Sequence, residues 1–291
     1  MSEKELTFDD CNQLVRQFET VVEHPVREPS SVYYTGVDLG TACVVLAVLD
    51  ENHKPVAGAY RYADVVRDGM VVDYIGAITI VRELKEELEE KLDTTLLYAA
   101  AAIPPGTDSL DGGAIKNVVQ SAGFLITALL DEPTAANAVL KIQNGAVVDI
   151  GGGTTGISIL KNGTVVYTAD EPTGGTHFSL VVSGACHLPF HEAEVYKRNP
   201  ENHKELFPVL KPVVEKVASI ISRHIRGHDV DEIYLVGGTC CLSGIETLVE
   251  KQTGVKTRKP DNPMFVTPLG IAFSCTQEEM ETKGKRWNIG S

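Results

Sequence analysis

The sequence predicts an α/β protein of two related lobes. Three observations predict it. A strand–turn–strand unit with an aspartate ahead of glycines occurs twice. Apolar strand-like runs alternate with helical stretches along the chain. The 291 residues suffice for two modest domains, and 43% of them are hydrophobic.

Taken in order, residues 7 to 22 read as an amphipathic helix, with Phe8, Cys11, Leu14, Phe18 and Val22 on one face and Thr7 as its cap. Prolines 25 and 29 break it into a linker. Residues 32 to 50 hold two strands around Gly36-Val37-Asp38-Leu39-Gly40-Thr41, and further strand signal follows at 56 to 62 and 70 to 72. A helix over 75 to 92 carries a run of glutamates that reads as a solvated face. A strand over 96 to 103 ends at Pro104-Pro105, followed by a helix near 113 to 122 and a strand over 124 to 130. Asp131-Glu132-Pro133 opens another helix, with proline where its missing N–H does no harm.

Then the pattern restarts. Residues 146 to 150 run into Gly151-Gly152-Gly153-Thr154-Thr155, and 156 to 160 pair with 164 to 168 across the Asn162-Gly163 turn. Helices follow near 174 to 186, 190 to 198 and 204 to 226. A strand over 232 to 236 reaches Gly237-Gly238, and helices near 245 to 251 and 268 to 275 precede a polar tail. The expected domains are an N-terminal helix and linker (1–31), a first lobe (32–145), a second lobe (146–275) and a tail (276–291). Residues 267–275 are expected to form a connecting helix that packs back on the first lobe.

The repeated turn suits phosphate. Glycine lets backbone N–H groups approach a ligand, and successive amides form an anion nest. The hydroxyls of Thr41, Thr154 and Thr155 add donors. Asp38 and Asp149 cannot bind phosphate, but they can bind Mg²⁺ or its waters. A net charge of -14 argues against a nucleic-acid binder and against anionic membranes. The six cysteines lack CxxC spacing, and no run is apolar and long enough to span a bilayer, which together fit a reducing cytoplasm. Cys186, His187 and His191 lack a second pair at ligand spacing and read as a helix-end cluster.

Five blocks in order, spanning residues 36 to 273, resemble the actin and DnaK-type ATPase superfamily. Residues 37–41 resemble its first phosphate loop, 131–136 its first connecting helix, and 149–155 its second phosphate loop. Residues 235–239 resemble its adenosine block and 267–272 its second connecting helix. The resemblance implies a two-lobed actin-like ATPase fold of duplicated ribonuclease H-like lobes, with reduced insertions, and ATP with Mg²⁺ in the cleft. It implies that Asp38 and Asp149 position the metal and that Glu132 holds a water. Gly40, Thr41, Gly151, Gly152, Gly153, Thr154 and Thr155 would grip phosphates, Gly237 and Gly238 would pass beside the adenosine, and Glu194 and Lys197 would touch the ribose.

More narrowly, the whole chain is similar to the chaperone-like family of bacterial ethanolamine utilisation. That implies a cytoplasmic partner for ethanolamine ammonia-lyase or for shell proteins of a bacterial microcompartment. A peptide clamp after residue 275 and the lysine of DnaK-type chaperones have no counterpart in the sequence, so at most slow hydrolysis is expected. A filament-forming actin relative and a small-molecule kinase remain the alternatives. The N-terminal helix either folds onto the first lobe or serves as a docking tag.

Overall fold

The structure, a computed structural model, describes residues 8–67, 69–103 and 112–276. The Thr7 cap, the Pro104-Pro105 strand end and the tail beyond Thr276 lie outside them. Two five-stranded sheets of one topology organise the chain. The first takes β1 (Tyr34–Leu39), β2 (Cys43–Leu49), β3 (Pro55–Tyr62), β6 (Tyr98–Ile103) and β7 (Leu125–Asp131), in the order β3-β2-β1-β6-β7. The second takes β8 (Gly145–Ile150), β9 (Thr155–Lys161), β10 (Thr164–Glu171), β11 (Glu232–Val236) and β12 (Lys256–Arg258), in the order β10-β9-β8-β11-β12. In each sheet the first three strands in sequence are antiparallel and the last two run parallel to the first. The two halves therefore share one strand order. A small ribbon, β4 (Val66–Arg67) with β5 (Met70–Val71), follows β3.

β2 reads as one continuous apolar run because both its faces are covered. Val44, Leu46 and Val48 face a core shared with α2 (Tyr74–Leu92) and α3 (Gly112–Ser121). Val45, Ala47 and Leu49 face the opposite way, into a core shared with the second sheet. α2 starts at Asp73, whose side chain accepts from the Gly76 N–H (2.8 Å), and buries Ala77, Val81, Leu84, Leu88 and Leu92. α4 (Glu132–Leu140) is capped by Asp131, which accepts from the Thr134 N–H (2.9 Å), with Pro133 in the first turn.

The second sheet is covered by α5 (Gly175–Cys186) and α7 (His203–Ile225), beside α6 (Phe190–Arg198) and α8 (Ile245–Thr253). His187 closes α5 as its left-handed C-cap, which gives the sequence's Cys–His cluster a structural role. α9 (Val266–Phe273) lies across β1 and against α4. The approach is close because Gly36 has no side chain: a β-carbon there would meet the Pro268 carbonyl oxygen at 2.5 Å.

α1 (Phe8–Glu23) is folded onto the protein rather than free. Phe18 and Val22 rest on β3 at Gly58, where a β-carbon would be 2.8 Å from Val22. The helix also reaches the second half of the chain, which its sequence does not foretell. Phe18 packs edge-on to Phe265 (centroids 5.1 Å), the Asp261 N–H donates to Asn12 (3.0 Å), and Asn262 donates to Glu19 (2.7 Å). α1 therefore straps the 261–265 segment to the first sheet. Phe18 is fully buried, so Phe18→Ala should cost about 3–5 kcal/mol. Chemical denaturation checks this, and an unchanged midpoint would show the strap to be loosely held.

Candidate functional site

The two aspartate turns meet. Asp38 is the fifth residue of six-residue β1, and Asp149 is the fifth residue of six-residue β8. Each strand then leaves through glycine into an antiparallel partner. A β-carbon on Gly152 would lie 2.7 Å from the Ala42 methyl and 3.0 Å from the Ala42 nitrogen, so the turns touch across the sheets. Within each turn the first glycine amide is used internally: Gly40 donates to the Cys43 carbonyl (3.1 Å) and Gly151 to the Thr154 carbonyl (3.0 Å). The next amides, of Thr41, Ala42, Gly152 and Gly153, have no acceptor among the described residues. Both turns line one cavity of about 790 Å³. Free amides along opposed turns form a nest for an anion.

Beneath the turns three carboxylates converge. Burial, and then the neighbouring Asp149, pushes the Asp38 carboxyl up to about 7. Burial raises Asp149 to about 6, although the Thr267 hydroxyl donates to it at 3.1 Å and pulls it down; Asp170 adds repulsion. Glu132, the first residue of α4, is raised well above the ordinary carboxylate range by burial and then by Asp149 and Asp38. All three line the cavity. A group of enclosed carboxylates that resist ionising together has the donor set and charge deficit that a hard divalent cation satisfies. Among the described residues no three His, Cys, Asp or Glu side chains are grouped to ligate one ion directly, so a cation here would meet the carboxylates through its water shell.

The second turn is held from behind. Gly175 and Thr176, opening α5, donate their amides to the carbonyls of Gly151 (2.9 Å) and Gly152 (2.8 Å), and the Thr239 hydroxyl donates to Gly151 (2.8 Å). Gly237 sits at φ +89°, and a β-carbon there would run into the Asp149 carboxylate and the Ile150 carbonyl oxygen (2.7 Å), a place no side chain could occupy. Gly237 and Gly238 line the cavity beyond the turn.

The structure brings Asp38, Gly40, Thr41, Glu132, Asp149, Gly151, Gly152, Gly153, Thr154, Glu194, Lys197, Gly237 and Gly238 onto this one cavity. Thr155 does not line it: it is fully buried, and its hydroxyl donates to the Thr173 carbonyl (2.5 Å), which braces the turn. Successive residues of an extended chain face opposite ways, and Thr154 alone of the pair faces the cavity. Glu194 and Lys197 are paired at 2.9 Å with side-chain exposures of 20% and 11%, so the pair is enclosed rather than solvated. Lys197 also donates to the Gly175 carbonyl (3.0 Å), and Ser179 donates to Glu194. Burial alone would raise Glu194, yet Lys197 and Ser179 hold it below its ordinary range.

Sequence reasoning missed several lining groups. Glu19 and Glu23 come from α1, Tyr60 and Tyr62 from the end of β3, and Arg198 from the end of α6. No local motif marks them, because helix and sheet packing brings them in.

Comparison with known proteins accords with this geometry. The protein described as "Ethanolamine utilization protein EutJ" of Salmonella typhimurium (strain LT2) is 47% identical over 242 residues, covering 83% of this chain and 85% of the relative. The chain belongs to the EutJ family. The crystal structure of the ethanolamine utilization protein EutJ from Carboxydothermus hydrogenoformans superposes with a TM-score of 0.87 at 46% identity, covering 91% of this chain and 98% of the other. MreB 5 of Spiroplasma citri, in a crystal structure bound to AMPPNP, superposes with a TM-score of 0.68 at 16% identity over 89% of this chain and 99% of the other, which shows the fold alone. The sequence pattern of "MreB/Mbl protein" matches residues 45–183, and that of "Type IV pilus assembly protein PilM" matches residues 120–267. The fold is that of the actin-like ATPases, in two similar halves. No helix among the described residues is long and apolar enough to cross a membrane.

Proposed function

We propose that the protein binds ATP with Mg²⁺ between its two sheets and works as a nucleotide-dependent, chaperone-like switch in ethanolamine utilisation. The observation that carries this is the meeting of the two glycine turns over the Asp38–Glu132–Asp149 cluster. The free turn amides would take phosphate oxygens. Asp38 and Asp149 would hold the metal by accepting hydrogen bonds from its hydration shell, and Glu132 would orient a further water. Mg²⁺ supplies the positive charge that lets phosphates and carboxylates share the cavity. Glu194 and Lys197 would stand beside the ribose, and Gly237 and Gly238 beside the base.

Because each sheet contributes one turn, nucleotide favours the closed arrangement by as much as it binds that arrangement better than an open one. The expected work is assistance to ethanolamine ammonia-lyase or to assembly of its microcompartment, in the cytoplasm, at the pace of a slow ATPase at most. The likeness to the EutJ proteins supports the pathway, and the likeness to a nucleotide-bound MreB supports the ligand class.

Calorimetry with ATP and Mg²⁺ tests the reading. Wild type should bind, and Gly152→Asp, which drives a carboxylate into Ala42 and the phosphate nest, should abolish binding. A wild-type protein without nucleotide affinity overturns the proposal. A pull-down from cells grown on ethanolamine then separates the lyase from a shell protein as partner.

A further inference from the structure

The cavity is strongly acidic. Among the described residues, seven carboxylate side chains and three of Lys or Arg line it. Two of those cations are already committed. Lys197 is held by Glu194 and the Gly175 carbonyl. Lys259 pairs with Glu246 (3.1 Å) and donates to the carbonyls of Cys240 (3.0 Å) and Leu242 (2.8 Å). Arg198 is different. Glu194 feels its charge, but no carboxylate among the described residues forms an ion pair with it. Its guanidinium carbon lies 3.6 Å from the centre of the Tyr62 ring.

That stacking crosses between the two halves of the protein. Arg198 ends α6, beside the second sheet, and Tyr62 ends β3, in the first. Tyr62 pairs directly with Cys43, the residue that leaves the first glycine turn, and the Ala63 N–H donates to the Ala42 carbonyl (3.2 Å). The arginine charge is felt at the turn. Burial and Asp38 push the Cys43 thiol up to about 12, while Arg198 pulls it down. Arg198 therefore lines the same cavity as the carboxylates, stacked on a residue that pairs with the strand leaving the first glycine turn. A guanidinium stacked by its face keeps its in-plane N–H fork free, which is the geometry that grips phosphate oxygens.

We propose that Arg198 is the protein's cation for the terminal phosphate of ATP, and that Tyr62 is the residue that positions it. The inference rests on the nucleotide reading above. It gives that reading a chemical selectivity: the nucleoside triphosphate is told from the diphosphate by a side chain that the second half extends onto the first. Recognition of the last phosphate and apposition of the two halves then become one event, since the same arginine takes part in both.

The test is calorimetry of wild type, Arg198→Gln, Tyr62→Ala and Tyr62→Phe with Mg-ATP and with Mg-ADP. Arg198→Gln takes one charged hydrogen-bond donor from the terminal phosphate and should weaken ATP about tenfold to a hundredfold. ADP affinity should change little. Tyr62→Ala should shift the ATP to ADP ratio the same way, and Tyr62→Phe, which keeps the ring face, should restore it. An equal weakening of both nucleotides, or of neither, overturns the assignment. Retained ADP binding shows that each variant is folded. A wild type that binds neither nucleotide sinks the nucleotide reading itself, whereas wild-type binding with an unaffected Arg198→Gln sinks only the role of Arg198.

Discussion

Gly270→Val should destabilise the protein severely and lower its denaturant midpoint far below that of wild type. Gly270 lies in α9 where that helix crosses α4, and any β-carbon there would fall onto the Ala135 carbonyl, with the carbonyl carbon at 2.5 Å. The obstacle is backbone, not the far end of a flexible side chain. Relief therefore requires the two helices to move apart. α9 cannot retreat, because its other side is pressed on β1 at Gly36. Separating the helices would open the core that holds Ala136, Val139, Leu269 and Ala272. Overpacking of this kind costs about 4 kcal/mol or more at a site unable to relax. That is a large share of the roughly 5–15 kcal/mol by which domains are stable. Gly184, in α5, is the contrast, since a β-carbon there meets nothing within 4 Å. Gly184→Ala should stabilise by about 0.5–1 kcal/mol through helix propensity alone. Denaturant midpoints of the pair measure both, and a Gly270→Val protein as stable as wild type would disprove the crossing.

The helix crossing shows what the sequence holds openly and what it conceals. Asp38 and Asp149 are legible because a phosphate turn is local: strand, aspartate and glycines follow one another directly in the chain. Glu132 is legible for a similar reason, since Asp131 and Pro133 mark a helix start and fix the residue between them at its first turn. Gly36 and Gly270 carry no such sign. Each is needed because a distant backbone comes close, and that closeness belongs to packing rather than to neighbours in sequence. β12, three residues with Lys256 and Arg258 among them, is too short and polar for periodicity to reveal. The strap formed by α1 is half legible. Its apolar face announces a buried helix, but nothing in that face says that it touches both the first sheet and the 261–265 segment. Thr155 lies one step of strand alternation from Thr154, the smallest shift that sends a side chain to the other face.

Asp38→Asn should make the nucleotide-free protein more stable and the Mg-ATP complex weaker. In the folded protein the Asp38 carboxyl is pushed up to about 7 by burial and by Asp149, and Glu132 is raised by burial, Asp149 and Asp38. An unfolded chain has its aspartates near about 3.9. Between these values the folded state holds protons that the unfolded state has released, so stability falls as pH rises from about 4 to about 7. Below that window the cluster is protonated in both states and costs nothing by this route. Above it the full repulsion is present. A carboxamide of the same shape removes one charge from the group, leaving Asp149 and Glu132 with less to oppose. Each unit of raised pKa corresponds to about 1.4 kcal/mol, and water in the cavity screens part of it. A gain of about 1–3 kcal/mol at pH 8 is expected, shrinking toward pH 5. The same substitution removes a carboxylate proposed to hold Mg²⁺, so Mg-ATP should raise the melting temperature of wild type and leave that of Asp38→Asn nearly unchanged. Thermal melts at both pH values, with and without Mg-ATP, separate the two effects. A variant less stable than wild type at pH 8 would mean that Asp38 is held by stabilising partners rather than strained against its neighbours. The carboxylate cluster would then no longer be a site kept at a cost in stability for the sake of a cation.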